Sequence, residues 1–133
     1  MNYLKMNNKQ SDINIVYGLD ADLIHLSLIK DNNIYLLRER TEFNFEQTDS
    51  EFIFLDINSL KKYLVQDIKR GYKISNRTCI NDYIFLCFFI GNDFIHNMIS
   101  VNIRYGGLNH LLEIYDSCQT DYSGYFYLIH ENS

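Results

Sequence analysis

The sequence predicts an α/β protein, because short apolar segments alternate with segments whose apolar residues recur at helical spacing. The chain has 133 residues, of which 47% are hydrophobic, which is enough for one domain with a buried core. Strands that are apolar along their length are typical of a mainly parallel sheet flanked by helices on both faces. We therefore expect a single α/β domain over residues 1–133.

The first half contains three predicted strands and one helix. The strands are runs of apolar and β-branched residues, and the helix begins at an acidic residue and ends before an Asp-Asn-Asn turn. In chain order, these elements are the strand Ile13–Tyr17, the helix Ala21–Leu28, and the strands Ile34–Arg38 and Glu51–Ile57. Asp20 and Asp22 therefore follow a strand at its carboxyl end, where functional groups of α/β sheets collect.

The second half is predicted to be mainly helical. Ser59 is the expected cap of its first helix, and Gly91 or Asn92 the expected end of its second, which is apolar on nearly all sides and hence buried. The elements are helices Leu60–Lys69, Ile80–Ile90 and Leu108–Ser117, and a last strand Gly124–His130. The third helix is amphipathic, and its inward residues are Leu108, Leu111, Leu112 and Tyr115.

Charge and aromatic content leave the question of nucleic-acid binding open. The formal net charge of −5 argues against simple electrostatic binding of nucleic acid, but not against a nuclease whose acids bind metal. One basic run is interpreted as a solvated face, with an RNA track as the alternative: Lys61, Lys62, Lys69, Arg70, Lys73 and Arg77. An aromatic tail is expected to pack on the core, with base stacking as the alternative: Tyr122, Tyr125, Phe126 and Tyr127.

The cysteines and the hydropathy pattern indicate an intracellular protein. The three cysteines, which are odd in number and widely spaced, are typical of free thiols in a reducing compartment. The longest apolar run, Tyr83–Ile90, is far shorter than the ~20 residues of a membrane span. Met1–Asp12 is polar, unlike a signal peptide. We expect a soluble protein of the cytoplasm or nucleus that does not bind membranes.

Three aspartates are the candidate catalytic residues. Asp20 and Asp22 follow a strand, and Asp93 follows a buried helix. Such carboxylates can hold Mg²⁺, and a pair of these ions about 4 Å apart supports hydrolysis of a phosphodiester. Spacing alone leaves an alternative, in which Asp20 or Asp22 is a helix N-cap and Asp93 a turn residue.

Two segments resemble the signatures of the Xrn family of 5′→3′ exoribonucleases. They read YGLDADLIHLSL at residues 17–28 and FLCFFIGNDF at residues 85–94. Further similarity follows in the same order along the chain: at Ile34–Glu39, at Phe52–Leu55, at Leu60 with Tyr63–Leu64, and at Ser100, Ile103–Arg104, Gly106 and Leu108–Tyr115. The resemblance runs from about residue 12 to the C-terminus. It implies the C-terminal part of the family's nuclease domain, with a partial fold like that of PIN and flap endonuclease domains.

This resemblance implies a reaction and a set of ligands. Asp20, Asp22 and Asp93 would bind Mg²⁺, with Mn²⁺ as an alternative ion, and the substrate would be RNA that carries a 5′ monophosphate. The family's further acids and its phosphate-binding cations lie upstream of the D-x-D segment and have no counterpart here. We therefore expect part of a longer or split enzyme, inactive alone, whose partner is the missing N-terminal half.

Two other functions remain as alternatives. The first is a noncatalytic remnant that binds RNA or protein, for which changing the acids would have no effect. The second is a structure-specific DNA nuclease of the same superfamily, which would prefer flap DNA to 5′-phosphorylated RNA.

Overall fold

The computed structural model describes residues 12–40, 50–91 and 106–129, and its elements confirm the α/β class. The described elements are β1 (Ile13–Tyr17), α1 (Asp22–Leu28), β2 (Asn33–Glu39), β3 (Phe52–Asp56), α2 (Ile57–Lys69), α3 (Asn76–Phe88) and α4 (Gly107–Asp121). The chain divides into two compact units, residues 1–62 and 63–133. A single domain over the whole chain stays a prediction. Within the described ranges, no helix is long and apolar enough to cross a membrane.

The first unit contains a three-stranded mixed sheet in the order β1-β2-β3. β1 pairs with β2 in parallel, with Ile15 opposite Tyr35, whereas β2 pairs with β3 antiparallel, with Leu37 opposite Phe54. The mainly parallel sheet that the sequence predicts is therefore wrong for the described strands. An apolar run identifies a strand, but it carries no information about the direction of its neighbour.

One face of this sheet is buried and the other is exposed. Ile34 of β2 has no exposed surface, and α1 packs against this strand. Because side chains alternate along a strand, the pairing places a second set of residues together on the opposite face. The exposed members of this apolar face are Ile13, Ile15, Tyr17, Phe52 and Phe54. A sheet covered on both faces, as expected from the sequence, is not what the described strands form.

We expect the apolar face to make the isolated chain self-associate and bind a hydrophobic dye, because contiguous exposed apolar surface drives association. Phe54 is 59% exposed, so Phe54→Ser should reduce both effects while the free energy of unfolding changes by only about 0.5 kcal/mol. Ile114→Ser is the control, since Ile114 is 49% exposed on α4, far along the chain from the sheet. Sedimentation and dye fluorescence check the result. A monomeric wild-type chain with little dye binding would contradict it.

Helix α2 begins three residues before the predicted start, directly after β3. Its cap is Asp56 rather than the predicted Ser59. The Asp56 carboxylate accepts hydrogen bonds from the backbone N–H of Asn58 at 3.0 Å, the N–H of Ser59 at 3.2 Å and the Ser59 hydroxyl at 2.8 Å. These hydrogen bonds, chiefly those from Ser59, lower the pKa of Asp56. One carboxylate thus satisfies two of the amides that the start of a helix leaves open.

Helix α3 begins four residues before the predicted Ile80. The Ser75 hydroxyl accepts a hydrogen bond from the backbone N–H of Thr78 at 3.0 Å, which is the geometry of an N-cap. The apolar pattern starts only at Cys79, so it does not reveal the polar first turn. Helix α3 ends at Phe88, two residues before the predicted Ile90, with Phe89 as its C-cap. A turn then leads to Gly91, which has a φ of +93°.

The second unit has a core built from α3 and α4. A cluster of buried residues within it consists of Ile74, Cys79, Leu86 and Tyr115. Hydrophobic residues around them include Leu108, Leu111, Leu112 and Phe126, which confirms the predicted inward face of α4. The inward residues of this helix can thus be predicted from helical periodicity alone.

Buried polar groups tie the last described residues to this core. The fully buried carboxylate of Asp82 accepts hydrogen bonds from the Tyr115 hydroxyl at 2.7 Å and from the backbone N–H groups of Leu128 at 3.0 Å and Ile129 at 3.1 Å. The predicted strand Gly124–His130 is wrong over residues 124–129, where the chain is irregular. The side chains of Gln119 and Asp82 bind the backbone groups of Phe126, Leu128 and Ile129.

All three cysteines are free thiols, as predicted, and their environments differ. Cys79 has no exposed surface, and burial raises its pKa to about 11. At pH 8 only about one thousandth of the Cys79 thiol is therefore ionised, and the thiolate is the reactive form. We expect Cys118, which is partly exposed, to be alkylated before Cys79 and Cys87 in the native chain. Mass spectrometry of partially alkylated protein tests this, and equal rates for Cys79 and Cys118 would contradict it.

Candidate functional site

The candidate site lies where β1 leads into α1. The backbone N–H of Gly18 donates to the carbonyl oxygen of Leu37 at 3.0 Å, which extends the parallel pairing one residue beyond β1. The chain then turns, and the Asp20 carboxylate accepts a hydrogen bond from the backbone N–H of Asp22 at 2.9 Å. The turn therefore holds both aspartates at the carboxyl end of β1, the position that the sequence predicts.

The presence of glycine at position 18 of this turn has a local steric explanation. A Cβ atom built at this position would collide with the side chain of Leu23 in the first turn of α1. The absence of a side chain at Gly18 thus leaves room for the Leu23 side chain to lie against the backbone just after β1.

The two aspartates are suited to part of a magnesium site. Asp20 is exposed and Asp22 is half-buried, so water and a metal ion can reach both carboxylates. Mg²⁺ takes oxygen ligands and usually keeps several waters, so one or two protein carboxylates are a normal ligand set. Within residues 12–40, 50–91 and 106–129, no group of three His, Cys, Asp or Glu side chains could hold a metal ion. Asp93, the third predicted ligand, lies outside the described residues.

Asp20 also has a role in local folding. The N-cap of α1 is Ala21, so the alternative in which Asp20 or Asp22 is the helix N-cap is wrong. The Asp20 carboxylate nevertheless accepts a hydrogen bond from the N–H of Asp22, the first residue of α1. This contact uses one carboxylate oxygen, Oδ1, as an acceptor. The second oxygen can still bind a metal ion, so this hydrogen bond and metal binding are compatible at Asp20.

The second unit contains a separate cleft of about 360 Å³ near the end of α2 and the start of α4. Three carboxylates line it, those of Asp67, Glu113 and Asp116, together with the cation of Arg70. This excess of negative charge disfavours a phosphate group. The nearby exposed residues His110 and Glu113 form a surface pair at 3.8 Å. The cleft is therefore a poor site for a nucleotide.

Sequence reasoning missed the polar groups that organise the second unit. Asp82 lies in an apolar helix, and Gln119 lies near the end of α4, where an amphipathic pattern gives no reason to bury it. A single acid inside an otherwise apolar helical pattern is the one signal that could have identified Asp82, because such a group must find buried donors.

The fold and the site together define an α/β chain with a pair of accessible aspartates at the carboxyl end of its first strand. A family model described as the Xrn1 helical domain matches residues 73–132, within the second compact unit, whose described elements are helical. The 5′-3′ exoribonuclease 2 of Yarrowia lipolytica is 32% identical over 119 residues, which is 83% of this chain. The chain belongs to the Xrn family, as its motifs predicted.

Other relatives agree with this assignment. The 5′-3′ exoribonuclease 1 of Schizosaccharomyces pombe is 30% identical over 143 residues, or 94% of this chain. The 5′-3′ exoribonuclease 2 of Saccharomyces cerevisiae is 28% identical over 147 residues, or 86% of this chain. The chain spans only 11–15% of the length of these three relatives.

Proposed function

We propose that this chain is part of a 5′→3′ exoribonuclease that hydrolyses RNA carrying a 5′ monophosphate. The observation that supports this most is the match to named 5′-3′ exoribonucleases over most of the chain, combined with Asp20 and Asp22 at the carboxyl end of β1. In a nuclease, acids at such a position hold metal ions against the scissile phosphate.

Asp20, Asp22 and Asp93 are the proposed ligands of Mg²⁺, with Mn²⁺ as an alternative ion. The bound metal would supply charge stabilisation and an activated water for hydrolysis. The chain's own contribution is positional: the Asp22 N–H holds one oxygen of Asp20, which orients the carboxylate before an ion arrives. Such preorganisation reduces the cost of ordering the ligand on binding.

The proposed nuclease domain is a partial PIN-like fold that a further polypeptide completes. Its exposed apolar sheet face supports this, since Ile13 is 72% exposed and Ile15 is 62% exposed. The far greater length of the relatives supports it as well. The missing N-terminal half, joined to this chain or bound as a partner, would cover this face and complete the active site. The 133-residue chain is proposed to be inactive without it.

The experiment uses the longest native polypeptide or complex that contains this chain, purified from its source. We expect it to release nucleotides from the 5′ end of 5′-monophosphorylated RNA in Mg²⁺, and to stop when the ion is chelated. RNA with a 5′ hydroxyl should be a poor substrate. Equal hydrolysis of both RNAs, or hydrolysis in chelator, would refute the proposal. A preference for flap DNA would instead support the structure-specific DNA nuclease.

A noncatalytic RNA- or protein-binding remnant is the second candidate. The hydrogen bond from the Asp22 N–H to Asp20 favours it, because this contact explains Asp20 without a metal ion. The same preparation separates the two functions, since a remnant would bind RNA or protein with no metal-dependent loss of substrate.

A further inference from the structure

Two features of the second unit that are far apart in the sequence meet in the fold. The first, which we call the basic connection, is residues 69–77, from the last residue of α2 to the second residue of α3. Its cations are Lys69, Lys73 and Arg77, because Arg70 lines the acidic cleft instead. The second, which we call the strap, is residues 122–129 after α4. The backbone N–H of Lys73 donates to the carbonyl oxygen of Gly124 at 2.8 Å, and the Lys73 ammonium lies 5.0 Å from the centre of the Tyr125 ring.

The strap has a fixed backbone although it has no regular structure. The buried Gln119 side chain donates to the carbonyl oxygen of Phe126 at 2.6 Å and accepts from the N–H of the same residue at 3.1 Å. Asp82 accepts from the next two amides along the strap, those of Leu128 and Ile129. Gly124, at a φ of +85°, allows the close approach to Lys73, since a Cβ there would lie 3.3 Å from the Lys73 nitrogen.

The tyrosines of the strap remain exposed while its phenylalanine is buried. Phe126 packs against the core, with its ring 5.8 Å from that of Tyr115. Tyr122, Tyr125 and Tyr127 are 63%, 59% and 49% exposed. The predicted packing of the aromatic tail on the core is thus confirmed for Phe126, and the Tyr122 ring lies 5.5 Å from that of Phe126. Tyr125 lies beside Lys73 instead. Three exposed rings on an anchored backbone need little further ordering to contact a ligand.

We infer that the strap and the basic connection together form a binding surface for single-stranded RNA. Aromatic rings beside a cationic track are the combination that binds single strands, because every base has a face that can stack and every phosphate a charge. Lys73 joins the two parts, since it contacts the strap through both its backbone and its ammonium group. The choice of RNA rather than DNA rests on the proposed function, and the bound strand would be part of the substrate.

The test measures binding of the 133-residue chain to short oligoadenylate and oligouridylate by fluorescence anisotropy. The RNA has a 5′ hydroxyl and the buffer contains EDTA, so neither phosphate recognition at the 5′ end nor hydrolysis is required. We expect Tyr125→Ala to weaken binding about tenfold and Tyr125→Phe to leave it unchanged, because stacking needs the ring. Lys73→Gln should lower the slope of log K against log salt by about 0.7, the value for one contact with a single strand.

Tyr63→Ala is the matched control, since Tyr63 is 70% exposed on α2 and belongs to neither feature. Equal weakening by Tyr63→Ala and Tyr125→Ala, or wild-type affinity in Tyr125→Ala, would overturn the inference. Failure of the wild-type chain to bind either oligonucleotide would overturn the inference as well. A protein partner would then be the remaining candidate ligand of the strap. Binding with the expected pattern would support the inference even if the complete enzyme proved inactive.

Discussion

Alanine at position 82 should lower the free energy of unfolding of the second unit by roughly 3 kcal/mol or more. The wild-type carboxylate is fully buried and accepts three hydrogen bonds, from Tyr115, Leu128 and Ile129. Asp82→Ala would leave the Tyr115 hydroxyl and two backbone amides without their acceptor in a site that excludes water. An unsatisfied buried donor costs about 1–3 kcal/mol. The strap should also detach from the core, because two of its backbone contacts end at this carboxylate.

Urea denaturation followed by circular dichroism measures this effect, and near-ultraviolet tyrosine signals report on Tyr115 and the strap. Asp82→Asn should lose only about 1 kcal/mol, because its amide oxygen still accepts from the backbone and its amide nitrogen can donate to Tyr115. Asp121→Ala removes an exposed carboxylate and should change stability by about 0.5 kcal/mol at most. If Asp82→Ala were as stable as Asp121→Ala, the buried cluster would not stabilise the unit.

The contribution of Asp82 to folding stability should depend on pH, with the sign opposite to that of a carboxylate whose pKa is lowered by folding. Burial raises the pKa of Asp82 above its ordinary value of 3.8, and the hydrogen bonds only partly oppose this. The folded state then binds the proton more tightly than the unfolded state, so the stability from this group is greatest below pH 3.8. That stability is lost as the pH rises through the folded pKa. Relative to Asp82→Asn, the wild type should therefore gain stability on acidification, and a relative loss would mean that the hydrogen bonds outweigh burial.

The largest effect on activity is expected at the aspartates after β1. In the complete enzyme, Asp20→Ala and Asp22→Ala should each lower the rate of RNA hydrolysis about a hundredfold or more, because metal ligands supply several kcal/mol of transition-state stabilisation. Single-turnover hydrolysis of 5′-monophosphorylated RNA measures the loss. Asp31→Asn, which changes an exposed acid in the turn before β2, should keep the wild-type rate.

Asp20→Asn separates the hydrogen bond that Asp20 makes in the turn from its proposed role as a metal ligand. Its amide oxygen can still accept the hydrogen bond from the Asp22 N–H, so the turn is retained, while the negative charge that favours Mg²⁺ is lost. We expect Asp20→Asn to fold like the wild type, as judged by its thermal midpoint, and to lose activity. An active Asp20→Asn enzyme would show that Asp20 acts through the turn alone, and the metal role would then fall to other residues.

Local patterns in the sequence determined the positions of most elements. Ile13–Tyr17 was predicted with its observed bounds, and the inward face of α4 at Leu108, Leu111, Leu112 and Tyr115 is confirmed. The paired acids at the carboxyl end of β1 also follow from the sequence, since a strand, a turn and a helix in succession leave little freedom for the residues between them. Helical and strand periodicity are short-range properties, so they can be read without knowledge of the fold.

Only the tertiary structure decided which distant groups pair. The direction of β3, the choice of Asp56 over Ser59 as a cap, and the burial of Asp82 each depend on partners that no local pattern specifies. The approach of Lys73 to Tyr125 joins residues 52 positions apart, through a glycine that accepts a positive φ and two buried side chains that hold the strap. A buried polar group is stable only where a complementary group reaches it, and the packing of the whole unit determines where that happens.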